Sequence, residues 1–394
     1  MRIWSLCLFA FVAIPLAAKD WNFSLDRDGE VGLTIRAKAK ESNWGKVGAE
    51  AVVLTLTVDG TYNQDVTLFL GETEHEYRVL LGPLKKGRHK LNYERNFRYS
   101  APEARSFQAN FRAEIIEDPA IAHAPFLHLR PECADTYSDL PLLSYYEWLE
   151  TPQGRTLQFT VIFSNEDGGT PTDGLYARWG RVLDIEHVYR WRENGAEFQG
   201  REHKETPFRG KKIGQHPLLY TVTDNNNFSD TGESPLRVAL WPIRADLSAA
   251  AREQVVDDHP WLYRVMAEEM TRERKIERSG DPRNFLYLEA KVRAATAAAS
   301  FSSGSHHSDR NNPRFRIERD GWVRTAIPVE DKKVEEIAFL CHPPREAKAN
   351  SSCVIETVRK AFFLDDDYRP GPNVFEWKGS ATMLKPGQGA VLKP

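Results

Sequence analysis

The sequence predicts a mainly β protein, an N-terminal immunoglobulin-like sandwich followed by a larger β-sandwich-like domain with inserted helices. Short runs rich in Val, Leu, Thr and Tyr, such as EAVVLTLTVDG, DVTLFLG and EYRVLLGPLKKG, alternate apolar and polar residues. Gly and Pro signals part them at intervals of about ten residues, the rhythm of an antiparallel sandwich. The same pattern resumes after a Pro- and Ala-bearing joint, EDPAIAHAPFLHLRPE (117–132). Only from Asp246 does it give way to apolar residues at three-to-four spacing, the helical period.

Taken in order, residues 1–18, MRIWSLCLFAFVAIPLAA, pair a short basic start with an apolar run and small residues. That is the make-up of a secretory signal peptide, too short to span a bilayer. Residues 19–117 form the immunoglobulin-like accessory module. Residues 118–394 form the larger β-rich domain, whose strands include RTLQFTVIFSNEDGG, HPLLYTVTDNN and PLRVALWPI. A helical insertion is expected around 246–300. Asp246 is its N-cap, Pro260 interrupts it, and NFLYLEAKVRAATAAA is a further helix or an extended core segment, the alanines favouring the helix. SFSSGSHHSDRNNP (300–313) reads as a polar loop, with strand-like runs after it.

The 394 residues carry 41% hydrophobic, 11% aromatic and 28% charged side chains and a net charge of −3. No long run of one sign appears, so neither nucleic-acid nor membrane-surface binding has a footprint. No second apolar run is long enough for a transmembrane segment. The chain is therefore expected to be secreted or periplasmic. An oxidising compartment suits a Cys341–Cys353 bridge, leaving Cys133 buried or unpaired.

The stretch with the most chemistry is RWGRVLDIEHVYRW (178–191). If 183–191 is a strand, Asp184, Glu186, Val188 and Arg190 share one face and Ile185, His187, Tyr189 and Trp191 the other. Two carboxylates so placed repel unless a cation, a shared proton or solvent compensates. A hard divalent cation, calcium or magnesium, suits such oxygen ligands. A solvated acidic face paired with Arg178, Arg181 or Arg190 is the plainer alternative. Glu166 and Asp167 in SNEDGGTPTDG, His216, and TDNNNFSD (223–230) are further candidates for the same rim. Asn and Asp are also ordinary turn formers.

LQFTVIFSNEDGGTPTDGLYARWGRVLDIEHVYRW resembles the central block of secreted necrosis-inducing proteins, where an acidic loop leads into G-H-R-H-D-W-E. Here Gly180 to Glu186 read G-R-V-L-D-I-E. HAPFLHLRPECADTYSDLPLLSYYEWLE is similar to the opening of a vacuolar protein sorting-associated family. The likeness covers residues 123–240. It implies a β-sandwich with a divalent cation at its rim, held by Asp173, Asp184 and Glu186. Both motif histidines are replaced, by Arg181 and Leu183, and Arg181 could neutralise the carboxylates in the metal's place.

Three functions follow. The first is a secreted protein binding a polar extracellular ligand, a glycan or lipid headgroup, with Arg181, His187, Trp179 and His216 as contacts. The second is a polysaccharide hydrolase using Asp184 and Glu186 as its carboxylate pair. The third is a structural or interaction protein of the periplasm or cell surface. No serine-nucleophile elbow, zinc-protease helix or phosphate-binding glycine loop is present.

Overall fold

The computed structural model describes residues 19–166, 168–334, 336–346 and 350–393. The signal-peptide reading of residues 1–18 and the candidate Asp167 lie outside them. The chain is mainly β, in paired and mostly antiparallel sheets with a few helices.

The first sandwich pairs a four-stranded with a three-stranded sheet. The order of the former is Lys19–Leu25, Gly87–Arg95, Val52–Val58, Thr61–Leu68. The latter runs His75–Leu84, Gly29–Lys40, Ser106–Ile115. Alternate residues Val31, Leu33, Ile35, Ala37 and Ala39 are buried and pack with Leu54 and Leu56 in one core. This is period-two patterning converted into a buried sheet face.

The joint at 117–132 belongs to the second sandwich, because Phe126–Leu129 pairs parallel to His216–Thr221 and antiparallel to Leu236–Val238. Opposite that small sheet lies a six-stranded one. Its order is Glu205–Pro207, Gly195–Gln199, Asp184–Arg192, Gly154–Phe163, Pro141–Thr151, Ile243–Arg244. The core of this sandwich is continuous with that of the first. Leu80 donates its amide to the Ala239 carbonyl and Arg78 accepts from the Trp241 amide, so 239–241 continues the edge of the first module's sheet. Between the two modules remains an apolar cavity of about 200 Å³, walled in part by Phe69, His75, Leu142 and Trp261.

Helix occupies less of 246–300 than its composition suggests. The segments are Gln254–Asp258, Trp261–Arg272 and Ile276–Ser279, and the chain before Gln254 turns without helix. NFLYLEAKVRAATAAA, expected as helix, is instead two strands, Phe285–Arg293 and Ala298–Ser303. Leu286, Leu288, Ala290 and Val292 fill one face of a sheet with Gly321–Pro328 and Cys353–Phe362. Tertiary pairing there overrides the modest helix preference of alanine. The expected loop at 300–313 likewise holds a hairpin, with Ser302 and Ser303 paired to His307 and His306.

These strands form a third sandwich with its own core, Leu286, Phe301, Phe339 and Ile355 among its members. Cys341 and Cys353 are disulfide-bonded and tie its two sheets together, while Cys133 is free and buried. A buried ionic cluster joins this sandwich to the helices. Arg324 bonds Asp257 at 2.6 Å and Glu289 at 2.8 Å, and Lys360 reaches Asp257 at 2.5 Å.

Candidate functional site

The approach to Asp184 is set by the helix Thr172–Trp179, which ends at Gly180 with φ of 63°. A Cβ at that position would lie 2.6 Å from Arg324 Cγ, so glycine meets both the left-handed turn and the close approach. Arg181, Val182 and Leu183 follow as buried residues, and Asp184 opens its strand.

Register then decides which side chains share a face, since directly opposed residues project to the same side. Phe163, Val161, Phe159 and Leu157 oppose Asp184, Glu186, Tyr189 and Trp191. Ile162, Thr160 and Gln158 oppose Ile185, His187 and Arg190. Val188 is the extra residue of a bulge, and the alternation reverses across it. The expected faces are corrected accordingly. Asp184 and Glu186 lie with Tyr189 and Trp191, not with Arg190. His187 lies with Arg190, and both bond Glu205, at 2.7 Å and 2.6 Å.

At the end of the sandwich Asp184 is 1% exposed and accepts a 2.9 Å hydrogen bond from Asn226 Nδ2. Its other oxygen and Asn226 Oδ1 are buried without a hydrogen-bond partner. Asn226 adopts φ of 43°, which presents its side chain inward from the 223–227 turn. Beside Asp184 stands Glu166. Burial first, and then the Asp184 charge, push the Glu166 carboxyl up to about 7, against the lowering pull of Arg181. Burial and the Glu186 charge raise Asp184 likewise, to about 7, opposed by Arg181 and the Asn226 hydrogen bond. A proton on Glu166 gives the unpartnered Asp184 oxygen a donor. Gly168 lets the loop close here, because a Cβ on it would meet Asn225 Oδ1 at 2.2 Å and Glu166 Oε1 at 2.5 Å.

Glu186 is half-buried and accepts from Gln199 Nε2 at 2.5 Å. Exposed His203 lies 2.9 Å from Gln199 Nε2 and 2.6 Å from Asn225 Nδ2. The rim open to solvent is therefore Glu166, Glu186, His203 and Asn225, over a floor of Asp184, Asn226 and Gln199. Arg181 is 2% exposed, bonds Glu253 at 3.1 Å and donates to the Leu183 carbonyl.

Of the residues singled out by sequence, the structure brings Asp184, Glu186 and Arg181 together. Asp173 lies apart, its carboxylate 2.9 Å from the Arg310 guanidinium. Trp179 is stacked against Arg178 and Arg319. His216 is fully buried between the first two modules, bonded to Glu30 at 2.9 Å and to the Ala124 carbonyl at 2.8 Å. The ligand set Asp173, Asp184 and Glu186 does not assemble. Among the described residues no group of three or more His, Cys, Asp or Glu is arranged to hold a metal ion. A buried guanidinium beside Asp184 also opposes a second cation. This donor set does not fit calcium or magnesium. Gln199 and His203 have no counterpart in the sequence reading; the only signal for them was the turn FQGREH after a short strand.

Neither a protein-family profile nor a curated protein matches the chain. Among solved structures it is similar to a sugar-binding protein, the EclA C-terminal domain, at 12% identity and a TM-score of 0.18. That match covers 27% of this chain and 84% of the other. A ruminal GH26 endo-β-1,4-mannanase is similar at 14% identity and a TM-score of 0.20, over 34% of this chain and 27% of the mannanase. At such scores neither likeness carries an argument about activity. Among the described residues no helix is long and apolar enough to cross a membrane.

Proposed function

We propose that the chain is an exported binding protein whose middle sandwich recognises a glycan at the rim of Glu166, Glu186, His203 and Asn225. The observation that carries this reading is the convergence of Glu166, Glu186, His203 and Asn225, polar groups that reach solvent, around the buried Asp184–Asn226 pair. Sugar hydroxyls supply donors to such a surface. A phosphate-bearing lipid headgroup would be repelled by the Glu186 carboxylate and by the negative charge that the Glu166–Asp184 pair keeps, so the glycan is favoured over the lipid. Export is supported by the make-up of residues 1–18 and by the disulfide, a bond that persists in oxidising compartments. Binding on a glycan array, followed by titration calorimetry on the best ligand, tests the reading. Glu186→Gln is expected to weaken binding about tenfold, and chelator to leave it unchanged. Full affinity in Glu186→Gln and in Glu166→Gln would sink the rim as the binding site.

The shared proton favours a second reading, a polysaccharide hydrolase. A carboxyl that keeps its proton near neutral pH is what a general acid requires. Glu166, more open than Asp184, would donate it, with Glu186 as the second carboxylate. Reducing-sugar release from a polysaccharide panel, abolished by Glu166→Gln, would establish it; no release from any member would exclude it.

A further inference from the structure

The sheet face that begins at Asp184 has a second end. Along it, the buried row Tyr146, Phe159 and Tyr189 is followed by Trp148, Leu157 and Trp191 on three adjacent strands. Leu157 is fully buried, but both tryptophans, next to the hairpin turns at 151–154 and 192–195, are half-buried. Strand spacing sets the two tryptophan Cα atoms about 10 Å apart, with Leu157 between them. The turns and the rings enclose a groove of about 350 Å³, within the usual range of about 300–1,000 Å³ for small-molecule sites.

Each ring has a flat partner: a histidine outside the groove for Trp191, and for Trp148 an exposed arginine at the groove's edge. His123 stacks on Trp191 with centroids 4.0 Å apart, and the Arg155 guanidinium lies 4.3 Å from the Trp148 centroid. Arg192 is anchored by Glu197 at 2.7 Å. Around the groove, Gln153, Glu193 and Asn194 are exposed, and their side chains take no hydrogen-bond partner among the described residues. Planar amide and carboxylate groups at the edges of flat indoles match one chemistry closely. A pyranose offers a C–H face to the ring and hydroxyls around its perimeter, each able to donate and accept. An apolar ligand would strand the polar edge groups, and a strongly charged one would meet both Glu193 and Arg155.

We propose that the Trp148–Trp191 groove is a sugar-stacking subsite that takes a pyranose unit of an oligosaccharide. The proposal rests on the glycan reading for its ligand class but on different residues, at the opposite end of the same sheet face. The test is tryptophan fluorescence and calorimetry on the full chain with cello-, manno-, xylo- and chito-hexaose. At least one is expected to bind saturably with a change in emission. Trp191→Ala and Trp148→Ala should weaken it about tenfold, and Gln153→Ala with Asn194→Ala, which alter only exposed side chains, several-fold. Trp322→Phe, in the third sandwich, should leave it unchanged. Binding lost in the groove variants but intact in Glu166→Gln and Glu186→Gln would uphold the subsite and sink the rim. Binding lost only in the rim variants would overturn the subsite and leave the rim standing. No binding of any hexaose would overturn the subsite, leaving the rim to the array result.

Discussion

At the residue scale the decisive group is Arg181. It stands where the resembled motif has a histidine, and its guanidinium lies buried between Glu253 and the Glu166–Asp184 pair. Removing it leaves the buried Glu253 with only the longer 3.8 Å contact to Arg252. Arg181→Ala is therefore expected to cost about 3 kcal/mol in urea unfolding. It should also raise the carboxyl titrations further, which side-chain NMR of Glu166 would show. The proton on the pair has its own signature. Folding lifts both carboxyls from 4.5 and 3.8 to about 7, so between about pH 4 and 7 the folded chain holds protons that the unfolded chain has released. Their contribution makes stability fall as pH rises through that window. Glu166→Gln should flatten the slope and gain about 1 kcal/mol at pH 8, with no gain at pH 4. A Tm series across pH checks it; an unchanged slope would remove the shared proton. Asp184, Glu186 and Arg181 were legible because they are neighbours in the chain. Asp173 and His216 were not, because Arg310 and Glu30, distant in sequence, claim them.

Elements were legible wherever alternation was local. The strands of the first sandwich and the Asp184–Arg192 strand follow directly from period-two patterning. The bulge at Val188 does not, since nothing in RWGRVLDIEHVYRW distinguishes a regular strand from one with an extra residue. That single residue separates His187 from Tyr189 and moves two rings to the face of the acids. Helix was overestimated for a similar reason: alanine fits either a helix or a close-packed sheet, and the partners that decide come from residues 321–328 and 353–362. Gly180 is the element boundary most exposed to a test. Gly180→Ala should cost about 1–2 kcal/mol for the left-handed turn alone, with more from the Arg324 contact, read as a lower midpoint in urea. An unchanged midpoint would mean that the turn relaxes.

For the whole molecule, two cores and three sandwiches are held by different means. The first two sandwiches share one apolar core, stitched by main-chain bonds around Ala239, and Trp44 Nε1 ties the first to the helix Trp261–Arg272 by donating to Glu269 at 3.0 Å. The third has a separate core and a disulfide whose cysteines are 12 residues apart. Reducing that bridge should lower the stability of the third sandwich by about 3 kcal/mol, seen as an earlier transition in urea with reductant. A Cys341→Ser and Cys353→Ser chain should show the same transition, now insensitive to reductant. An unmoved transition would show that the bridge adds little.

The ionic cluster around Arg324 has a consequence for how this chain can be divided. Asp257 and Tyr263 belong to the helical segment, yet the cations that neutralise Asp257 arrive from Arg324 and Lys360 in the last sandwich. A fragment ending before residue 285 would uncover the Asp257 carboxylate and leave it the Tyr263 hydroxyl but neither of these two cations. The third sandwich, despite its separate core, is thus not an interchangeable cassette. A chimera that swaps it must import an arginine at the position of Arg324 and a cation at that of Lys360, or fold only where the helices come apart.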